Sequence, residues 1–136
     1  MNLNQVTLPT TTALFDGTVG FYRVMGFTLI VHSPPRYARF ECPDGNATFS
    51  LHAVEESGGR CSEPGSGVLV YFECDDLDAR VARLAAAGIA FDQPATDQRW
   101  LWREARLTDP SGNRLCLFHA GENRRHPPWR VASPAN

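Results

Sequence analysis

The stretch PSGNRLCLFH, residues 110–119, repeats the pattern of PDGNATFSLH, residues 43–52. Both open on Pro-x-Gly-Asn, both close on His at the same offset, and they stand 67 residues apart in a chain of 136. A separation of almost half the chain marks two copies of one unit, and the fold follows from the unit. Upstream of each turn the order of elements agrees. The first copy reads strand-like LNQVTLP, a helix-like run over about 13–25 that ends in MGF, then TLIVH; the second reads VLVYFEC, DDLDARVARLAAAG, then IAF. In the second helix Asp75, Asp76 and Asp78 supply N-terminal caps and charge that suits the helix dipole, while Leu77, Val81 and Leu84 make one apolar stripe that Gly88 ends. In the first, Phe15, Val19 and Tyr22 play the same part. Turns are expected at Ser33-Pro34-Pro35, at Pro43-Asp44-Gly45-Asn46 and at Asp109-Pro110-Ser111-Gly112-Asn113.

Each unit is therefore strand, helix, then three strands. Module one covers about 1–54, a Gly/Ser-rich linker about 55–66, module two about 67–119 and an extended tail 120–136, within one domain. Strand alternation separates two sheet faces. Val6, Leu8, Phe49, Leu51, Val68, Val70, Phe72, Leu115 and Leu117 are uniformly apolar, as a helix-covered face requires. The opposite set is mixed: Gln5, Thr7, Ser50, His52, Leu69, Tyr71, Glu73, Cys116 and Phe118. Such a face suits a curved sheet that lines a ligand cavity; a half-exposed sheet or a dimer interface reads the same way. A gapless match of the two Pro-x-Gly-Asn turns would set Cys116 opposite Phe49 in the alignment and contradict this parity. One copy must turn with an extra residue.

A formal charge of −2 gives no reason to expect a nucleic-acid or membrane partner, and no apolar run is long enough to span a bilayer. The N-terminal MNLNQVTLPTTT has neither a basic nor an apolar signal region, so a cytoplasmic protein is expected. Four cysteines without a CxxC pair read as reduced thiols rather than a zinc site or a disulfide framework.

The segments FYRVMGF (21–27), YFECDDLDARVARLAAAGIAF (71–91) and WLWREARLTDPSGNRLCLF (100–118) resemble the vicinal oxygen chelate superfamily, which includes glyoxalase I, fosfomycin-resistance enzymes, extradiol dioxygenases and bleomycin-resistance proteins. The resemblance implies an α+β fold of tandem βαβββ modules, a U-shaped mixed sheet around a cavity with helices outside, and a homodimer. In metal-using members a ligand stands on the first, fourth, fifth and last strands. Those places here hold Gln5, Ser50, Leu69 and Cys116, too few anionic or imidazole donors for a divalent ion, so no metal cofactor is expected. A rearranged divalent site from Gln5, His52 and Cys116 or Glu73 is the alternative.

Without a metal, the expected function is binding of a small organic ligand by Gln5, Ser50, His52, Leu69, Tyr71, Glu73, Trp100, Trp102, Cys116 and Phe118. Tyr71, Phe118, Trp100 and Trp102 would serve as walls or stacking surfaces, although Phe118 equally suits a core position. Glu73 would pair with a cationic ligand, or with Arg103 or Arg106. The rival is a glyoxalase-like lyase or dioxygenase that uses displaced ligands or metal-free chemistry, with Glu73, His52 or a His52-activated Cys116 as catalytic candidates. A third reading is a scaffold that works through its dimer surface. In the tail, Pro127-Pro128-Trp129 is a stiff segment with one aromatic anchor, suited to docking over the cavity mouth or onto a second subunit.

Overall fold

The computed structural model describes residues 1–54 and 67–132; the expected linker lies outside them. The elements are β1 (Gln5–Thr10), α1 (Phe15–Val24), β2 (Thr28–Ser33), β3 (Tyr37–Glu41), β4 (Thr48–Ala53), β5 (Leu69–Glu73), α2 (Leu77–Ala86), β6 (Gln93–Asp97), β7 (Arg103–Thr108), β8 (Arg114–His119) and α3 (Glu122–Arg125). They form two four-stranded mixed sheets, ordered β1-β4-β3-β2 and β5-β8-β7-β6. In each, the first strand runs parallel to the last of its module and the other pairs are antiparallel. The α+β fold of two βαβββ units is present as the repeat implied.

The faces divide by the expected parity. Leu8, Phe49, Leu51, Leu115 and Leu117 share one core cluster with Phe15, Val19 and Tyr22 of α1 and Leu77 and Leu84 of α2. On the opposite face of the second sheet, Cys116 and Phe118 form a separate buried cluster against Leu69 and Trp102. The extra residue is in the first turn: Thr48 pairs with Glu41 across it, whereas Arg114 pairs with Thr108 across one that is a residue shorter. Ser50 and Cys116 therefore hold equivalent places.

Four local expectations need correction. Val68 is 72 % exposed, because β5 starts at Leu69. IAF is not a strand; Ile89 and Phe91 pack on the core and β6 begins at Gln93, as an edge strand where Pro94 loses no ladder bond. Asp76 is the N-cap of α2, yet its carboxylate makes no cap bond and pairs instead with Arg80 (3.2 Å) and Arg83 (3.1 Å). The tail is not wholly extended: Glu122–Arg125 make a helical turn, and Trp129 is exposed rather than docked over a cavity of its own chain.

The two modules are joined reciprocally, each Pro-x-Gly-Asn turn lying against the other module's helix. At the second turn, the buried Asp109 accepts from the Tyr22 hydroxyl at 2.6 Å and from the backbone N–H groups of Ser111 and Asn113. The Ser111 hydroxyl lies 2.7 Å from those of Thr10 and Thr18, and the Asn113 amide donates to the carbonyl of Pro9. At the first turn, Asp44 meets Arg80 of α2 at 3.2 Å. The helices correspond position by position: each has ten residues, and Tyr22 and Leu84 are each the eighth. Phe72 completes the join by packing its ring against Phe27 at 5.1 Å.

Candidate functional site

On the open face of the first sheet, β1, β4 and β3 present one hydrogen-bonded group. The amide nitrogen of Gln5 donates to the Ser50 hydroxyl at 2.8 Å, the Tyr37 hydroxyl lies 2.7 Å from the same oxygen, and Arg39 Nε donates to the Tyr37 hydroxyl at 3.0 Å. The amide oxygen of Gln5 accepts from Thr48. Ser50 holds the Tyr37 hydroxyl below the usual phenol range, with Arg39 adding to the effect. His52 stands exposed at the end of this row, its ring 6.5 Å from that of Tyr37.

The second sheet repeats the arrangement with other chemistry. Arg106, Cys116 and Tyr71 form one row across β7, β8 and β5, as Arg39 and Ser50 do across β3 and β4. Glu104, only 1 % exposed, holds the place of Tyr37; it accepts from Arg106 Nη2 at 2.9 Å and from Trp100 Nε1 at 2.7 Å. The Cys116 thiol also points to it, at 3.7 Å. Burial, then the Glu104 charge, pushes that thiol up to about 12. The thiol is thus protonated at neutral pH and makes a poor nucleophile.

Beyond this row stands an aromatic group. Trp102 stacks on Phe118 at 4.8 Å, and Tyr71 meets both rings edge-on at 5.8 and 5.5 Å. A tight turn before β7, with Leu101 at φ 69°, separates Trp100 from Trp102, whose Nε1 is tied to the Asn123 carbonyl at 3.3 Å. The trio opens on a groove of about 670 Å³ beside β5, the outer strand of the second sheet among the described residues. Phe72, Leu84, Met25 and the 42–47 turn line its other side. The charged residues of the groove are matched: Asp44 with Arg80 at 3.2 Å and Glu73 with Arg124 at 3.5 Å.

The ten expected site residues fall into two groups. Gln5, Ser50 and His52 belong to the first sheet; Leu69, Tyr71, Glu73, Trp100, Trp102, Cys116 and Phe118 surround the second, and Tyr71, Glu73, Trp102 and Phe118 reach the groove. No hydrogen bond or ion pair among the described residues joins the groups, so His52 does not activate Cys116. Glu73 does not pair with Arg103 or Arg106. Its carboxylate accepts from the N–H groups of Ala120 and Gly121 and meets Arg124, while Arg103 holds Asp78 and Asp97. Sequence reading missed Tyr37, Arg39 and Glu104 as site residues; the alternation of β3 and β7 was the available signal.

The places where metal-using relatives carry ligands do not fit a divalent ion. Leu69 has no donor atom, the Ser50 oxygen is already shared by Gln5 and Tyr37, and the lone Cys116 thiol is turned to Glu104. The rearranged alternative fares no better, because Glu73 is engaged at the tail and His52, exposed at the end of its row, makes no hydrogen bond to Gln5 or Cys116 among the described residues. Among the described residues, no group of three or more His, Cys, Asp or Glu is arranged to hold a metal. No helix among them is long and apolar enough to cross a membrane.

Solved structures share this fold. A glyoxalase/bleomycin resistance protein/dioxygenase from Nocardioides is 24 % identical, with a TM-score of 0.72 over 97 % of this chain and 90 % of its own. A lactoylglutathione lyase from Agrobacterium tumefaciens is 18 % identical, with a TM-score of 0.69 over 92 % and 96 %. A bleomycin-binding protein in complex with bleomycin is 22 % identical, with a TM-score of 0.65 over 88 % and 98 %. No curated protein sequence matches the chain. The model of the Glyoxalase/Bleomycin resistance protein/Dioxygenase superfamily matches residues 4–117, and with both βαβββ units in place the chain belongs to that superfamily.

Proposed function

We propose that the protein binds a small organic ligand in the groove beside β5, without a metal ion and as a homodimer. The observation that carries this reading is the Tyr71–Trp102–Phe118 trio, which opens onto a groove whose charged residues already neutralise one another. A mostly apolar concavity of about 670 Å³ is in the range that holds drug-sized molecules. The donor set argues for metal-free binding rather than Lewis-acid chemistry, and a member of the fold holds bleomycin. The dimer is supported by apolar surface at the rim of the second sheet, where Tyr71, Trp100 and Leu101 are 41 %, 37 % and 47 % exposed.

The test combines titration of the Trp100 and Trp102 fluorescence with a panel of aromatic compounds, elemental analysis of the purified protein and sedimentation. The expected outcome is saturable quenching by a subset of the panel, no stoichiometric metal and the mass of two chains. Ligand at about a hundred times its Kd should add about 2.7 kcal/mol of stability. Stoichiometric Ni, Zn, Mn or Fe, with an activity lost on chelation, would replace this reading with an enzyme. A flat panel would leave a scaffold acting through its surface.

A further inference from the structure

The open face of the second sheet carries two arginines and two glutamates, unequally engaged. Across β5, β8 and β7 its rows read Leu69, Arg114, Thr108; then Tyr71, Cys116, Arg106; then Glu73, Phe118, Glu104. Both acids are already answered. Glu104 is held by Trp100 and Arg106, and Glu73 by two backbone N–H groups and Arg124. The bases are not used up. Arg106 gives one nitrogen to Glu104, while its Nε is the single buried side-chain nitrogen or oxygen among the described residues that lacks a hydrogen-bond partner. Arg114 makes no hydrogen bond or ion pair among the described residues. The two guanidinium groups stand diagonally on neighbouring strands and line one cavity of about 220 Å³ with Leu69, Gln93 and Asp92, whose carboxylate accepts from the Thr108 hydroxyl at 2.7 Å. Both charges also act on the Tyr71 hydroxyl, opposing the rise that burial and Glu104 impose on it.

A buried donor without a partner costs about 1–3 kcal/mol, and a charged donor costs more, so an acceptor placed at Arg106 would remove that cost. Tyr71 and Arg106 lie two strand spacings apart in one row, roughly 10 Å between Cα atoms, with the small Cys116 side chain between them. We propose that the ligand is an aromatic anion, its ring against Tyr71 and its acidic group between Arg106 and Arg114. This rests on the ligand-binding reading of the groove, from which the ligand would reach past Tyr71 to the separate arginine cavity, and it gives the ligand its charge. A cationic ligand would meet Arg114, which has no partner among the described residues, and the free side of Arg106, while the acids nearby are already engaged, Glu104 by Arg106 and Trp100 and Asp92 by the Thr108 hydroxyl.

The experiment compares three probes of one shape on the full chain at pH 7: naphthalene-2-carboxylate, the neutral naphthalene-2-carboxamide and the cationic 2-(aminomethyl)naphthalene. The carboxylate should bind about tenfold or more tighter than the amide and lose that advantage in high salt, with the amine weakest. Arg114→Gln should bring the carboxylate-to-amide ratio below about threefold, and Arg114→Lys should keep most of it. Arg106→Gln should act in the same direction, but it also unpairs Glu104, so Arg114 provides the decisive variant. Equal binding of carboxylate and amide, tightest binding of the amine, or an unchanged ratio in Arg114→Gln overturns the anion assignment and leaves the groove standing. Failure of all three probes to bind overturns both.

Discussion

At the scale of single residues, Cys116 shows how a position can be readable while its chemistry is not. Its place, on the strand after the Pro-x-Gly-Asn turn and on the open face, follows from alternation. Its protonation does not, because that depends first on burial and then on the Glu104 charge, and the sequences of β3 and β7 mark their faces only weakly. Their inward residues include Ala38 and Ala105, which are fully buried yet too small to give YARFE and REARLT a strong apolar rhythm. The Cys116 thiol stands at about 12 and that of Cys74 at about 11, both raised chiefly by burial, against about 8.5 in an unfolded chain. The folded state therefore keeps protons that the unfolded state gives up. The resulting stabilisation is whole below about pH 8.5 and is lost as pH rises toward 11–12. Urea unfolding should show stability falling over that window by up to about 1.4 kcal/mol per pH unit for each thiol. The fall should be shallower in a Cys74→Ala/Cys116→Ala double variant; parallel curves would contradict the assignment.

Among the elements, the helices were read best and the strands near proline worst. Leu77, Val81 and Leu84 follow the helical period, and Gly88 stops α2 as Gly26 stops α1, at φ 98° and 101°. After each glycine, an apolar residue donates back to the eighth residue of its helix, Phe27 to Tyr22 at 3.1 Å and Ile89 to Leu84 at 3.0 Å. A Cβ at either glycine would meet nothing within 4 Å, so a substitution there isolates backbone conformation from packing. Gly88→Ala should cost about 1–2 kcal/mol in chemical denaturation, with no change in the spectrum of the folded state. A loss below about 0.3 kcal/mol would show that the helix end relaxes to another conformation. The strand missed at IAF illustrates the opposite case. Its apolar letters serve loop residues packed on the core, while the true strand QPATD carries proline and polar residues that only an edge tolerates. No local pattern separates these, because edge position is a property of the finished sheet.

At the scale of the molecule, the repeat discloses two modules but not how they meet, since a helix stripe that holds Tyr22 and a turn that holds Asp109 and Ser111 do not say which side chains will bond across the join. Burial raises the Asp109 carboxyl, against the hydrogen bonds from Tyr22, Asn113 and Ser111 that lower it. Asp109→Ala would leave the Tyr22 hydroxyl and two backbone donors buried without an acceptor, for a cost of about 3–5 kcal/mol. Tyr22→Phe removes one bond and should cost about 1–2 kcal/mol. Both are measurable as shifts of a single unfolding transition; equal costs would mean that the backbone donors of Ser111 and Asn113 find other acceptors. The two joints are not alike in stiffness. One is knit by a tyrosine, a carboxylate and three hydroxyls; at the other, leucine stands in the tyrosine's place, an ion pair spans the rim, and the groove lies between. Mechanically the first joint is a pin and the second a jaw: any rocking of one module against the other would turn about Tyr22 and Asp109 and change the width of the mouth that faces Tyr71 and Trp102.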